Sequence, residues 1–196
     1  MPAGSELADG GPFEGSLRYT GPMHGHEPLS DELQQILAAA WRALEHGAAD
    51  PRDDLHWPVL ASVTVAPEPG PDARTVVLRA CVPAERHVDV HSDVGTGKIA
   101  QIRAQPRVCL VGHRRDARTQ LRLWGDATIH HDDALAADAW QRLAPHSRAN
   151  YRSAKDFALI RVVVDRLDWL LVDPGAHRRA AFDWRDGTLN AHWLDA

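Results

Sequence analysis

Apolar residues recur along this chain with two different periods. Leu33, Ile36, Leu37, Ala40, Trp41 and Leu44 fall at i, i+3, i+4 spacing, the stripe of an amphipathic helix. Ser30 or Asp31 stands where a helix cap belongs, and Gly47 follows the last apolar position as a stop signal. Beyond the polar turn at 48–54 the pattern changes to β-type runs at 58–66, 74–82, 87–91, 107–113, 118–130 and 159–172, with shorter ones near 178–184 and 188–194. Pro67-Glu-Pro-Gly-Pro71 and Asp186-Gly187 separate some of them. Short helices are expected at 96–104, stopped by Pro106, and at 132–143, before Pro145. Many antiparallel strands with a few peripheral helices predict an α+β fold built on a β-barrel. Residues 1–28 are rich in Gly, Pro and Ser without an apolar period. They read as an extended or disordered N-terminal arm, leaving 29–196 as one domain.

Composition narrows the class of function. The chain has 196 residues, 44% hydrophobic and 25% charged, ordinary for one soluble domain. A net charge of -5 argues against a broad nucleic-acid face but allows a local basic pocket. No apolar stretch reaches membrane-spanning length and the N-terminus lacks an apolar signal core, so a cytoplasmic address without membrane partners is expected. Cys81 and Cys109 both sit inside strand-like runs, where they read as small core residues rather than as a disulfide or metal pair.

Four places carry candidate chemistry. Arg74 opens Arg-Thr-Val-Val-Leu-Arg79 as a cation at a strand end, pointing out of the barrel. Ser92-Asp-Val-Gly-Thr-Gly-Lys98 places two glycines, the Thr96 hydroxyl and Lys98 at a helix start, where backbone N–H groups favour an anion. The spacing of a nucleotide-binding P-loop is absent upstream, which excludes that reading. In Arg118-Thr-Gln-Leu-Arg-Leu-Trp124, alternation puts Gln120, Arg122 and Trp124 on one face, and a carboxamide can read a heterocycle edge carrying donor and acceptor. Trp169 ends an apolar run, with His177 and Arg179 following in Asp173-Pro-Gly-Ala-His177-Arg-Arg179. Taken singly, each has a plain structural explanation: a solvated strand edge, an empty helix start, a polar strand face, a core tryptophan. Together they supply cations for a phosphate, an amide for a ring edge and an aromatic for its flank, which reads as a flavin mononucleotide (FMN) site.

From about Trp41 to Trp193 the chain resembles the pyridoxamine 5′-phosphate oxidase-like flavoproteins with the FMN-binding split-barrel fold. The matching residues are Arg74 to Arg79, His91-Ser92 followed by Lys98, Gln105 to Val111, Arg118-Thr-Gln120 through Gly125, and Trp169 with His177 and Arg179. The resemblance implies a homodimer holding FMN at its interface. Arg74 and Lys98 would bind the phosphate, with Ser92 and Thr96 beside it and His91 at the strand end. Thr75, Val76 and Val77 would pass beneath the ring. Gln120, Trp169 and Arg179 would reach the flavin across the dimer, the last two as a pair. Arg79 and His177 would meet the substrate. Departures are specific: Thr96-Gly97-Lys98 replaces Ser-Arg-Lys, His91 replaces Tyr or Phe, and Ala144 falls where the oxidase has a substrate arginine. Pro174-Gly-Ala176 and the terminal Trp193-Leu-Asp-Ala196 also differ. An FMN-dependent oxidoreductase acting on a small molecule other than pyridoxamine phosphate is therefore expected.

Other chemistries fit less well. The chain holds 12 histidines, including His24-Gly-His26 and His130-His131-Asp132-Asp133, but no second ligand pair at zinc spacing. Asp132 or Asp133 is more simply a helix cap, and no Gly-x-Ser-x-Gly elbow is present. The competing class is a binding module, a split barrel carrying flavin, deazaflavin or haem without turnover.

Overall fold

The computed structural model of the protein describes residues 29–195. The expected arm at 1–28 and the His24-Gly-His26 pair lie outside the described residues. The chain begins with α1 (Asp31–Ala49), where the Ser30 hydroxyl accepts from the Leu33 N–H at 3.4 Å. Leu33, Ala40, Trp41 and Leu44 are buried, as the helical stripe requires. Gly47 does not end this helix. It lies inside it, because a Cβ there would stand 2.7 Å from the Cβ of Leu55 in the short turn Asp54–His56. The glycine permits close packing rather than a stop.

The strands that follow are β1 (Val59–Thr64), β2 (Gly70–Thr75), β3 (Leu78–Val82) and β4 (His87–Asp93). Next come α2 (Gly97–Ala104), β5 (Arg107–Arg114), β6 (Thr119–His130), α3 (Ala134–Arg142) and the one-turn α4 (Pro145–Arg148). The chain closes with β7 (Phe157–Leu171), β8 (Arg178–Asp183) and β9 (Asn190–Leu194). All pairings are antiparallel, in the order β2-β1-β5-β6-β7-β4-β3, with β8 joining β7 and β9 joining β8. Among the described residues the hydrogen-bonded ladder does not close, yet its two ends, β2 and β3, are joined only by Val76 and Val77. So short a link curls the sheet back on itself, giving an open, split barrel.

The single run expected at 74–82 is thus two strands with a corner between them. Val76 is 7% exposed and donates its N–H to the Pro58 carbonyl at 2.9 Å, leaving β2 for the core. β-Branched residues suit a corner wall as well as a strand, so composition does not mark the bend. β2 also absorbs Gly70 and Pro71 from the expected separator. It is an edge strand, where a proline's missing donor costs no ladder bond.

β7 sets the split. Ala158, Ile160, Val162 and Val164 point inward, each 0% exposed, whereas further along Leu167 takes that role. The parity changes because Asp165 is an extra residue, skipped between the pairs Trp124 with Arg166 and Gly125 with Val164. At this bulge β7 exchanges β4 for β8 as its second neighbour. Gly125 makes it possible: a Cβ there would lie 2.0 Å from the Val163 carbonyl oxygen. α1 packs against β3, with Trp41 6.4 Å from Trp184, and a smaller cluster under α3 gathers Ala136, Ala139, Leu143, Phe157 and Leu159.

Candidate functional site

The inward face of β4 ends at Ser92, 4% exposed, just before the chain turns into α2. Asp93 shapes that turn: its carboxylate accepts from the Gly95 N–H at 2.8 Å, and its carbonyl accepts from the Thr96 hydroxyl at 2.8 Å. Because Thr96 bonds backward, its side chain does not cap α2. The first N–H groups of the helix therefore lack a side-chain acceptor, the arrangement that receives anions. The Lys98 ammonium donates to the Ser92 hydroxyl at 3.1 Å and to Thr96 at 3.2 Å, and the two hydroxyls lie 2.9 Å apart. Among the described residues it forms no carboxylate pair. Partial burial, then the neighbouring Arg74 charge, holds its pKa below the ordinary 10.5. An uncompensated cation, two hydroxyls and a bare helix start fit a phosphate.

Arg74 stands beside this cradle, but not as expected. It is the penultimate residue of β2 and shares the face of its partner Leu60, beneath α2, rather than pointing out of the barrel. Its guanidinium donates to Asp72 at 2.5 Å, to Gln101 at 2.8 Å, to the Ser62 hydroxyl at 2.6 Å and to the Leu60 carbonyl at 3.3 Å. Gln101 also donates to Asp72 at 2.7 Å. These acceptors draw the side chain inward, so Arg74 acts on Lys98 through its field. Thr75 is exposed, while Val76 and Val77 form the corner.

A second group lies on the opposite face of the sheet. Cross-strand pairing aligns His113, Gln120, Leu170 and Arg179 in one row, and Val111, Arg122, Asp168 and Ala181 in the next. Gln120 and Arg179 therefore share the outward face. Trp169 pairs with Leu121 and Ala180 and packs on the core, so Trp169 and Arg179 do not form a pair on one side of β7 and β8. Alternation along a strand separates them.

Asp168, only 1% exposed, accepts from Arg122 at 3.0 Å, Arg166 at 3.0 Å and Arg179 at 2.7 Å. Arg122 and Arg166 also stack on Trp124, 5.2 and 4.8 Å from its centroid. Three cations around one carboxylate leave this face locally positive. The sequence reading missed Asp168 and Arg166, although their alternation with inward Leu167 was visible.

His91 and Arg79 occupy a third place, where β3 bulges between Leu78 and Ala80. His91 meets Phe157 edge-on at 4.8 Å, and Phe157 in turn contacts Tyr151 at 5.3 Å and Trp140 at 5.6 Å. Burial, then the Arg79 charge, pushes the His91 pKa down to about 4, so the ring is neutral at physiological pH. The buried Arg79 Nε and His91 Nδ1 both lack a hydrogen-bond partner. His177 sits apart on an exposed loop and accepts from the Asp173 N–H at 3.2 Å.

Asp133 is the α3 cap, accepting from the Ala136 N–H at 2.8 Å, and its other oxygen meets His130 at 2.8 Å. Among the described residues no cluster of three or more potential metal ligands forms. A cleft of about 480 Å³ between α3 and β7 is lined by Asp132, Trp140, Lys155 and Phe157 among others. None of the predicted site residues lines it. Cys81 and Cys109 are both free.

Residues 38–131 match the family of the pyridoxamine 5′-phosphate oxidase FMN-binding domain. That segment contains the cradle, Arg74, Arg79, His91 and Gln120, while Asp168, Trp169, His177 and Arg179 lie beyond it. No curated protein matches the chain. Among solved structures, a pyridoxamine 5′-phosphate oxidase-related, FMN-binding protein from Nostoc punctiforme is similar at a TM-score of 0.68 and 20% identity, covering 81% of this chain and 96% of that one. PhzG from Burkholderia lata, solved with tetrahydrophenazine-1-carboxylic acid, reaches 0.67 at 14% identity, over 87% and 98%. A protein from Clostridium acetobutylicum related to general stress protein 26 reaches 0.55 at 11% identity, over 74% and 94%. The family model thus covers somewhat under half of the chain, and over most of its length the chain is similar to these proteins in its split-barrel fold.

Proposed function

We propose that the protein binds FMN and acts as an FMN-dependent oxidoreductase on a small molecule other than pyridoxamine phosphate. The observation that carries the cofactor is the Lys98 ammonium beside Ser92 and Thr96 at an uncapped helix start, inside the segment that matches an FMN-binding domain. The FMN-binding Nostoc relative supports the same choice. When bound, FMN supplies an acceptor for a hydride or two electrons. Lys98 and the α2 N–H groups would hold its phosphate, Ser92 and Thr96 would orient it, and Arg74 would add positive field. Val76 and Val77 would support the ring. His91 would lie beside the cofactor, Arg79 and, from its separate exposed loop, His177 would meet the substrate, and no general acid or base is assigned.

A homodimer belongs to this proposal. The cradle lies on the inward face of the sheet, and Gln120 with Arg179 on the outward face, so one protomer cannot present both to one flavin. A second copy can. The outward face also carries Val59 and Val63, 37% and 40% exposed, a surface suited to a partner. Two free thiols fit a cytoplasmic address. No helix among the described residues is long and apolar enough to cross a membrane.

Anaerobic mixing of the FMN-loaded protein with donors, followed at the flavin absorption band, tests the reaction. Pyridoxamine phosphate is expected to leave the band unchanged, and bleaching by it within a single turnover time would refute the substrate assignment. Sedimentation should give twice the protomer mass. A monomer that retains FMN would refute the dimer.

A further inference from the structure

One buried carboxylate, Asp168, gathers three cations. It stands on the outward face of β7 between Arg122 on β6 and Ala181 on β8, and is 1% exposed. Its Oδ2 accepts from Arg122 at 3.0 Å, from Arg179 at 2.7 Å and from Arg166 at 3.3 Å, while its Oδ1 accepts from the Arg166 Nε at 3.0 Å. Other carboxylates of this region are taken, Asp165 by Arg107 at 2.7 Å and Asp183 by Arg185 at 2.8 Å. The three arginines are not alike. Arg122 and Arg166 have a second support in the Trp124 ring, 5.2 and 4.8 Å from its centroid. Arg179 has none. Among the described residues its only side-chain hydrogen bond goes to Asp168, and its Nε is buried without a partner. Buried donors are rarely left so, because the unmade bond costs the desolvation of the group.

We infer that Asp168 is a positioning residue: it fixes the Arg179 guanidinium on the outward face, so that the remaining edge of that group meets the flavin held by the partner protomer. The inference deepens the oxidoreductase reading and rests on its homodimer, in which Gln120 and Arg179 face a flavin bound by the second copy. Sheet geometry gives Asp168 this task. Arg179 lies two residues before Ala181, the cross-strand partner of Asp168, and so is its diagonal neighbour on one face. Such neighbours stand about 7–8 Å apart, within reach of a long side chain. The five donors of a guanidinium lie in one plane. A terminal nitrogen held by Asp168 therefore restricts the whole plane, including the unpartnered Nε. An arginine restrained in this way has given up rotamer freedom before the flavin arrives, and binding does not bear that cost. Three cations against one carboxylate also leave the face positive, which suits an incoming ring edge rich in acceptors. Asp168 thus acts through Arg179, without touching the cofactor.

The test is FMN binding by the homodimer, read by fluorescence titration and by the visible circular dichroism of the bound flavin. Arg179→Gln and Asp168→Asn should each weaken FMN by about tenfold. The variant carrying both should be no weaker than Arg179→Gln by more than about twofold, because Asp168 acts only through Arg179. Both single variants should alter the flavin dichroism in the same direction, a signal that lost stability alone does not move. Asp168→Asn also uncovers charge, so it is paired with Arg166→Gln, which restores the wild-type balance of the cluster and leaves Arg179 untethered. This balanced variant should still bind FMN about tenfold more weakly than Arg166→Gln alone. Full recovery of affinity in it would mean that Asp168 only balances charge, and overturns the inference. Losses that multiply when Asp168→Asn joins Arg179→Gln overturn it too, as does FMN affinity indifferent to Asp168→Asn. If the wild type binds FMN and Arg179→Gln changes nothing, this inference falls alone. If the wild type takes up no FMN, the flavoprotein reading falls with it.

Discussion

Replacing Lys98 by Met keeps an unbranched stem in the cradle and removes its one uncompensated charge. Among the described residues Lys98 donates only to the Ser92 and Thr96 hydroxyls, at 3.1 and 3.2 Å, and no carboxylate among them competes with an incoming phosphate. The Coulomb energy of two charges about 4 Å apart near a protein surface is about 4 kcal/mol at an effective dielectric constant of about 20. Desolvation and salt reduce this, and losing one charge-assisted hydrogen bond costs about 1.5–3 kcal/mol. FMN dissociation should therefore increase about ten- to a hundredfold in Lys98→Met. Riboflavin lacks the phosphate, so its affinity should change by less than about twofold if the charge alone is at stake. The assay is a fluorescence titration of both flavins against wild type and variant, repeated at high salt, where the difference should shrink. An equal loss for both flavins would mean that Lys98 shapes the pocket without binding phosphate. No loss for either would remove it from the site. Lys98 also sets a pH dependence. Its pKa is lowered, so FMN affinity should be full at neutral pH and decline as pH rises, from below the ordinary lysine value of 10.5.

Other consequences follow from single contacts. Arg74→Ala should weaken FMN binding and also lower stability, because Asp72 and Gln101 lose a shared donor; unchanged FMN affinity would refute the phosphate role of its charge. Folded His91 takes a proton near pH 4 and the unfolded ring near 6.5, so the unfolded chain binds more protons throughout that window. The stability linked to the neutral ring is therefore full above 6.5 and lost as pH falls to 4, about 3 kcal/mol in all. Urea unfolding across this range should show a slope that His91→Phe removes, and an unchanged slope would assign it to other groups. Gly125→Ala drives a methyl group into the Val163 carbonyl, 2.0 Å from the added Cβ. A loss of about 3 kcal/mol in chemical denaturation is expected, and a loss below about 0.5 kcal/mol would show that the bulge relaxes freely.

The elements were largely legible because their periods are strong. The stripe from Leu33 to Leu44 and the alternation in Arg118–Trp124 each name a face, and the faces are the ones observed. What escaped were decisions made by distant partners. The corner at Val76 depends on the Pro58 carbonyl, and the place of Gly47 in α1 depends on Leu55. In the candidate site, the helix start with Lys98 was readable because its residues are consecutive. Arg74 was misplaced because Asp72, Ser62 and Gln101 converge on it from three elements. Asp168 was overlooked because only Arg166 is its neighbour in sequence, while Arg122 and Arg179 reach it from β6 and β8 through pairings that the alternation within one strand does not reveal.

The central claim is that this barrel holds FMN by its phosphate. The most direct measurement is the absorption spectrum of the purified protein, mixed with FMN and passed through a desalting column, with the mass of the chromophore released on denaturation. Retained flavin bands and release of FMN are the predicted result. A colourless protein after that step, with no flavin released, would contradict the account.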